Sequence, residues 1–296
     1  MRLIKPSFQI IKPTGYTIDD IYKSIELAGR VSYKSENRIT EDSAKAFVDR
    51  MMKMKHLSTC EFGTIYLKVP AGKHKFLDND YFNECNDIKD SFYSNPYTKI
   101  HGQEGYHYIS TNYRVLLENF SKEFIPELLQ YLCEPTEYHH KRYTVKFICD
   151  RGILAEFTRH RKFSFMAEST RYCNYSKDKF NNELTFIIPC WFKWDEQIIH
   201  RGDFEKSGSD SEDSGLYINT LLNIEQCYKY LIKEGWKPQE ARNVLPLSLK
   251  TELYMCGFAE DWKKFFELRC ASNSHPQSRE LAIPLYEEFK NKNYIV

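Results

Sequence analysis

Residues 159–172, which read RHRKFSFMAESTRY, concentrate side chains that can bind a phosphate. They contain three arginines, one histidine, two serines and one threonine, and neither a glycine nor a proline. Arginine guanidinium groups, hydroxyls and free backbone amides are the donors that a phosphate monoester requires. The alternative is a solvent-exposed helix face, since runs of charge usually lie in water.

The glycine-rich loops that usually bind nucleotide phosphates do not occur in this sequence. Neither G-x-G-x-x-G nor G-x-x-x-x-G-K-[ST] is present, so a bound nucleotide must be held by side chains. Nine cysteines are scattered without a C-x-x-C pair, and no zinc site or disulfide framework is predicted. Cys190, in IIPCWF, is expected to be a buried cysteine at a strand end, not a nucleophile. We expect no metal.

Composition narrows the class of protein. The chain has 296 residues with 42% hydrophobic and 15% aromatic content, which is typical of a folded protein with a large core. A formal net charge of +1 argues against a non-specific nucleic-acid binder. The N-terminus lacks the apolar run of a signal peptide, and no segment is long enough to span a bilayer. We therefore expect no membrane association and a reducing, cytoplasmic location.

Helices and strands are interspersed along the chain without regular alternation. Thr17, as N-cap, and Asp19 and Asp20, in the first turn, predict that a helix begins near residue 17. The other expected helices cover residues 42–54, 121–133, 152–161, 216–234, 238–245, 259–270 and 276–290. Strands are expected at 62–69, 143–149 and 184–189. This pattern predicts a single α+β domain over 1–296, with a central, largely antiparallel sheet flanked by helices.

Three consecutive residues of the cationic stretch are expected to point in different directions. Arg159, His160 and Arg161 would end the helix at 152–161, where neighbours are rotated by about 100°. They would therefore contact two ligands, or one ligand and a neighbouring subunit.

The stretch 159–172 resembles the signature of the flavin-dependent thymidylate synthases, R-H-R-x-x-S-x-N-E-x-S-x-R-Y. Seven of its nine fixed letters match without a gap. The departures are Met166 in place of Asn and Ala167 in place of Glu, with Glu168 one residue later. One residue changes the direction of a side chain, so Glu168 need not take the place of the family's glutamate.

Other segments extend this resemblance. AGRVSY places Ser32 at a flavin-contacting position, and HLSTCEFGTIYL places Ser58 and Glu61 there. ARNVLPLSL and FFELRCAS resemble the two segments that supply nucleotide-binding arginines, Arg242 and Arg269. Relative to compact members of the family, residues 70–143 and 200–215 are expected to be insertions.

The resemblance implies reductive methylation of dUMP to dTMP. Methylenetetrahydrofolate would supply the carbon, and FAD, reduced by NADPH, the hydride. It implies that Arg269 is catalytic, lying against the uracil edge, and that a homotetramer forms with sites at subunit junctions. The implied dUMP-binding residues are Glu156, Arg159, Glu168, Ser169, Arg171, Arg242 and Arg269. The implied FAD-binding residues are Ser32, Ser58, Glu61, Arg159, His160 and Arg161.

Two other functions remain compatible with the sequence. One is a flavin-dependent enzyme that transfers a hydroxymethyl group to dUMP, which the product's mass would reveal. The other is an inactive relative that binds nucleotide or RNA, which would purify without flavin and present a basic surface.

Overall fold

The computed structural model describes residues 1–74, 92, 95–200 and 212–295. Its ten strands are β1 (Arg2–Ile4), β2 (Ser7–Ile11), β3 (Thr64–Pro70), β4 (Lys99–Gln103), β5 (Tyr106–Asn112), β6 (Arg142–Asp150), β7 (Ser164–Ala167), β8 (Thr185–Ile187), β9 (Gln197–Ile198) and β10 (Lys250–Phe258). The α-helices of these residues are α1 (Ile18–Arg30), α2 (Ser43–Lys53), α3 (Tyr113–Asn119), α4 (Ile125–Leu129), α5 (Arg151–Phe157), α6 (Glu212–Lys233), α7 (Pro238–Ala241), α8 (Ala259–Arg269) and α9 (Pro276–Asn291).

A four-stranded antiparallel sheet, in the order β2-β6-β10-β7, forms the middle of the protein. Strands β6 and β10 pair along their whole length, from Arg142 opposite Phe258 to Asp150 opposite Lys250. Helices α8 and α9 cover one face, where Phe147 and Met255 pack with Trp262. Residues of α1 cover part of the other face. Because both faces are covered, β10 is a nearly continuous run of buried residues.

Two smaller sheets complete the fold. The first, in the order β3-β5-β4, is antiparallel and packs with α1, α2 and α3 around a core that includes Ile25, Phe47 and Leu67. The second places β1 between β8 and β9, and its pairing with β8 is parallel. The α+β class and the largely antiparallel sheet structure are confirmed, although the strands are divided among three sheets.

The first helix begins as predicted. The Asp20 amide donates to the Thr17 hydroxyl at 3.3 Å, and the Thr17 amide donates to the Asp20 carboxylate at 3.2 Å. This reciprocal capping satisfies two amides that the helix leaves free. The helix ends at Arg30, whose guanidinium pairs with Glu26 one turn earlier, and a short 3-10 turn over Val31–Tyr33 then carries Ser32.

Several predicted boundaries are wrong. The helix predicted at 152–161 ends at Phe157. The helix predicted at 121–133 covers only Ile125–Leu129, with Pro126 in its first turn. Helix α6 begins at Glu212, inside the insertion expected at 200–215.

The two expected insertions are described only in part. Residues 75–91, 93–94 and 201–211, which include Cys85, lie outside the described residues. The remainder of 70–143 contains β4, β5, α3 and α4. Among the helices that are described, none is long and apolar enough to cross a membrane.

Candidate active site

Helix α5 positions the first group of predicted site residues. Asp150 caps it by accepting a hydrogen bond from the Ile153 amide at 2.7 Å. The helix closes at Phe157, where the Thr158 hydroxyl donates to the Leu154 carbonyl at 3.0 Å. The chain then turns, and the His160 amide donates to the Phe157 carbonyl at 3.1 Å. The argument from helical rotation therefore does not apply at residues 159–161, because they lie beyond the helix.

Arg269, at the end of α8, binds two of the predicted site residues. Its Nη1 donates to the Glu156 carboxylate at 2.6 Å, and its Nη2 donates to the Glu156 carbonyl at 2.6 Å. Its Nε donates to His160 Nε2 at 2.9 Å. A guanidinium has five N–H groups, so one on each Nη remains for a ligand. Glu156 and His160 thus fix the plane of Arg269 and leave part of its edge free.

His160 is held as a neutral imidazole in this cluster. Because its Nε2 accepts a hydrogen bond from Arg269, the ring proton resides on Nδ1. Burial against Phe265, followed by the charge of Arg269, lowers the pKa of His160 to about 4. His160 therefore carries no charge at neutral pH and does not repel the guanidinium.

The second group lies on a turn that follows β7. The Ser169 amide donates to the Ser32 carbonyl at 3.2 Å, and the Ser32 hydroxyl donates to the Ala167 carbonyl at 3.1 Å. The Ser169 hydroxyl accepts a hydrogen bond from the Arg171 amide at 3.3 Å. Arg171 is exposed and donates from Nε to Gln239 at 3.4 Å. The turn thus carries the Ser169 hydroxyl and the exposed side chain of Arg171, from residues that lie two apart in the chain.

Glu168 faces inward from the same turn. Its carboxylate accepts hydrogen bonds from the Tyr175 hydroxyl at 2.8 Å and from Lys250 Nζ at 2.9 Å. The residue is 3% exposed. Both carboxylate oxygens are engaged, so only its backbone can meet a ligand without breaking this pair. The predicted contact of Glu168 with dUMP stays a prediction.

A cluster of lysines around Glu252 lies next to this turn, and one of them, Lys250, also binds Glu168. Glu252, on β10, forms ion pairs with Lys250 at 2.6 Å, Lys34 at 2.7 Å and Lys146 at 2.7 Å. Burial alone would raise the pKa of Glu252, but Lys250 and Lys34 lower it well below its ordinary value. Sequence reasoning missed this cluster, because its lysines come from three separate segments and form no motif.

The third group surrounds a 3-10 turn over Leu57–Phe62. Glu61 is buried and forms an ion pair with Arg114 Nη1 at 2.6 Å, whereas Ser58 is exposed. Arg114 also binds Glu118 at 2.8 Å. Arg114 is not among the predicted site residues. The N-cap at Asn112 could have indicated the helix that carries Arg114, but not its ion pair with Glu61.

The remaining predicted residues are cations in contact with water. Arg159, Arg161 and Arg242 are exposed, and the Tyr97 hydroxyl donates to the Arg161 carbonyl at 3.4 Å. Arg242 begins a 3-10 turn that directly follows α7, the helix whose Gln239 binds Arg171. Arg242 and Arg171 therefore belong to adjoining segments.

Cys190 is exposed instead of buried, and desolvation and Glu280 raise the pKa of its thiol, which disfavours a nucleophile.

A model of the family described as "Thymidylate synthase complementing protein" matches residues 98–293. The chain belongs to this family. The match covers more than half of the chain. It includes those residues of the three groups described above that lie in α3 or later in the chain. It also includes residues 98–143, which the sequence analysis placed in an insertion.

Similar proteins carry names that agree with this family. A flavin-dependent thymidylate synthase of Pyrococcus furiosus is 27% identical over 179 residues, which are 60% of this chain and 66% of that protein. A probable flavin-dependent thymidylate synthase of Paramecium bursaria Chlorella virus 1 is 27% identical over 146 residues, covering 49% of this chain and 65% of its own length. The chain thus spans slightly less than two thirds of these curated relatives.

Two solved structures show weaker likeness. The UMP/dUMP methylase PolB from Streptomyces cacaoi, bound with 5-Br dUMP, has a TM-score of 0.43 and 16% identity, covering 98% of this chain and 93% of its own. Thymidylate synthase X from Helicobacter pylori, with FAD and dUMP, has a TM-score of 0.36 and 21% identity, covering 49% and 66%. At these TM-scores, neither structure supports an inference about this member of the family.

Proposed function

We propose that this protein methylates dUMP reductively to dTMP, with methylenetetrahydrofolate as carbon donor and FAD, reduced by NADPH, as hydride source. Family membership makes this reaction the first to consider. The observation that carries the proposal is the cluster of Arg269, Glu156 and neutral His160. In it, Glu156 and His160 orient the positively charged guanidinium of Arg269, and negative charge develops on the pyrimidine ring during the proposed reaction.

Arg269 would act on the uracil edge. Its guanidinium is held from two sides by Glu156 and from a third by His160. The two remaining N–H groups would donate to a uracil carbonyl oxygen, where negative charge develops as the ring becomes nucleophilic. A donor that is already oriented stabilises such charge without having to reorganise.

The turn after β7 would hold the dUMP phosphate. The hydroxyl of Ser169 and the exposed side chain of Arg171 belong to residues two apart on this turn, and Arg242 lies on the segment after Gln239. Phosphate binds most strongly to such charge-assisted donors. In the described part of the chain the Ser169 hydroxyl makes no hydrogen bond with a histidine or lysine, so it would serve as a phosphate ligand and not as a nucleophile.

The residues assigned to FAD have the chemistry that this cofactor requires. Arg159 and Arg161 are exposed cations suited to its diphosphate, and His160 retains an Nδ1–H donor. Ser32, Ser58 and Glu61 would contribute from the segments beside β7. FAD would supply the hydride chemistry when bound.

The proposed assembly is a homotetramer with sites at subunit junctions. Within the described residues, no hydrogen bond or ion pair joins the Arg269 cluster to the Ser169 turn. Sharing the site between subunits would let both groups reach one ligand. We also propose that the protein works in the cytoplasm and binds neither nucleic acid nor membranes.

Spectroscopy and product analysis test the reaction. The purified protein is loaded with FAD, reduced anaerobically with NADPH, and supplied with dUMP and methylenetetrahydrofolate. The flavin band should bleach, dUMP should change the spectrum saturably, and mass spectrometry should detect dTMP. A hydroxymethyl product, or a protein that binds no flavin, would refute the proposal.

A matched pair of variants tests the role of Arg269. Arg269→Lys keeps the charge but loses the planar fork, and its turnover should fall about 100-fold. Arg38→Lys changes an exposed arginine outside the predicted site and should retain the activity. Equal activity of both variants would contradict the assigned role.

A further inference from the structure

A cavity of about 420 Å³ lies between β2, α1, β6 and the segment that follows α9. None of the residues predicted to bind dUMP or FAD lines it. Its volume is in the range of small-molecule sites. It is therefore a separate place where a ligand could bind, and the proposed methylation does not account for it.

Among the described residues that line this cavity, six are aromatic. Tyr143 stacks on Tyr294 with ring centroids 4.2 Å apart and planes 17° apart. Tyr16 meets Tyr66 edge to face at 5.8 Å. Tyr254 adds another ring, and it is only 3% exposed on the floor formed by β10. Rings held in fixed orientations form a surface on which a flat aromatic ligand can stack.

The charged residues that line the cavity are all cations. Lys12, Lys141 and Lys292 are exposed, and Arg142 is buried. No aspartate or glutamate is among the described residues that line it. Three acids lie nearby: Glu288 binds Lys292 at 3.2 Å, Glu134 is close enough to contribute to the raised pKa of Tyr16, and Asp20 lies beside Gly15, where it accepts hydrogen bonds from Thr14 and Thr17. Lys12 and Lys141 form no ion pair with described residues, so the rim stays positive.

Arg142 is the buried cation among the charged residues that line the cavity. It is 7% exposed, and no described carboxylate pairs with its guanidinium. Its Nη atoms donate to the Glu61 and Thr111 carbonyls and to the Thr64 hydroxyl, at 3.2 to 3.4 Å. Its Nε–H has no hydrogen-bond partner among the described residues. The Phe258 ring, whose centroid is 5.5 Å from Arg142 Cζ, offsets part of the cost of burying this charge. An anion beside the guanidinium would reduce the rest of that cost.

We propose that this cavity binds a small planar aromatic acid. The ring would stack against the tyrosines, and a carboxylate or phosphate would face Arg142 and the lysines of the rim. A neutral aromatic compound would leave the cations unpaired, and an inorganic anion would leave the aromatic walls uncovered. Both halves of the ligand are therefore required.

Ligand-detected NMR on the full chain, saturated with FAD and dUMP, tests this proposal. The probes are benzoate and phenyl phosphate, with benzyl alcohol as the neutral analogue and inorganic phosphate as the anion without a ring. Benzoate or phenyl phosphate should bind at least tenfold more tightly than the other two. Whichever of these two acids binds more tightly identifies the acidic group as a carboxylate or a phosphate.

Variants of the rim locate the binding. Each exposed lysine should contribute about threefold in affinity, so Lys12→Gln combined with Lys141→Gln should weaken the acid about tenfold. Lys45→Gln, on the exposed face of α2 and outside the cavity, is the matched control and should change nothing. Equal binding of benzyl alcohol, equal affinity of the two lysine variants, or an acid that binds only when FAD and dUMP are left out would overturn the proposal.

Discussion

Replacing His160 by glutamine should remove a specific part of the protein's sensitivity to acid. The histidine accepts a hydrogen bond from Arg269 and has a pKa of about 4 in the folded protein, against 6.5 in an unfolded chain. The unfolded state therefore binds more protons between these two values, so the stability from this group is complete above pH 6.5 and is lost as pH falls towards 4. A glutamine carbonyl can accept the same hydrogen bond but does not titrate.

The linkage relation gives the size of this effect. Between pH 7.5 and pH 5, a shift from 6.5 to about 4 corresponds to a loss of about 2 kcal/mol of unfolding free energy. Other groups titrate in this range. Burial and the nearby Asp150 raise the pKa of Glu280 to about 7, which makes stability fall as pH rises. Only the difference between the wild type and His160→Gln isolates the histidine.

Urea unfolding at a fixed protein concentration, measured at pH 7.5, 6 and 5, is the assay. The wild type should lose about 2 kcal/mol more than His160→Gln between the highest and lowest pH. His56→Gln, which alters an exposed histidine, should behave like the wild type. If His160→Gln and the wild type lose stability in parallel, the histidine is not held neutral by burial and Arg269, and the orientation assigned to Arg269 fails with it.

Other parts of the site and fold give further predictions. Arg171→Ala should weaken dUMP binding about 10- to 100-fold and leave FAD binding unchanged, as equilibrium titrations of the two ligands would show, because a charge-assisted hydrogen bond to phosphate is lost. Lys250→Met should lower the unfolding free energy by about 3 kcal/mol or more, since Glu168 would stay buried without its cation; adding Glu168→Gln should recover part of the loss in urea unfolding. Gly257→Ala should cost about 1 to 3 kcal/mol in the same measurement, because the new methyl group would lie 2.5 Å from the Phe163 ring; an unchanged midpoint would contradict the packing described for β10.

Local signals in the sequence were sufficient for some elements. Helix α1 could be predicted because its capping residues, Thr17 and Asp20, are three residues apart and satisfy each other. Helix α8 could be predicted from a different local signal, since Trp262, Phe265 and Phe266 recur at helical spacing and are buried. Such signals depend only on residues that are neighbours in the chain, so they can be recognised without knowledge of the fold.

The end of α5 could not be predicted from its neighbours. After Gly152, the segment ILAEFTRHR contains no glycine or proline to stop a helix, yet the helix stops at Phe157. Beyond that point, His160 contacts Arg269, which is 109 residues away along the chain. Only the pairing of β6 with β10 brings α5 and α8 together, so the boundary depends on tertiary structure.

The position of Glu168 illustrates the same limit. Sequence comparison could show that the family's glutamate is replaced by Ala167, with a glutamate one residue later. It could not show where that glutamate points. Its partner, Lys250, is 82 residues away and approaches because β7 lies beside β10.

These contacts explain how a chain with a net charge of +1 can leave four arginines of the predicted site without a carboxylate partner among the described residues. The acids near the predicted site form ion pairs within the protein: Glu156 with Arg269, Glu168 with Lys250, and Glu252 with three lysines. The exposed arginines keep donors directed to water, and these are Arg159, Arg161, Arg171 and Arg242. A nucleotide with a doubly charged phosphate responds to this local field and not to the total charge. The position of each carboxylate therefore matters more for binding than the number of carboxylates, which is why moving one glutamate by one residue can change the site without changing the composition.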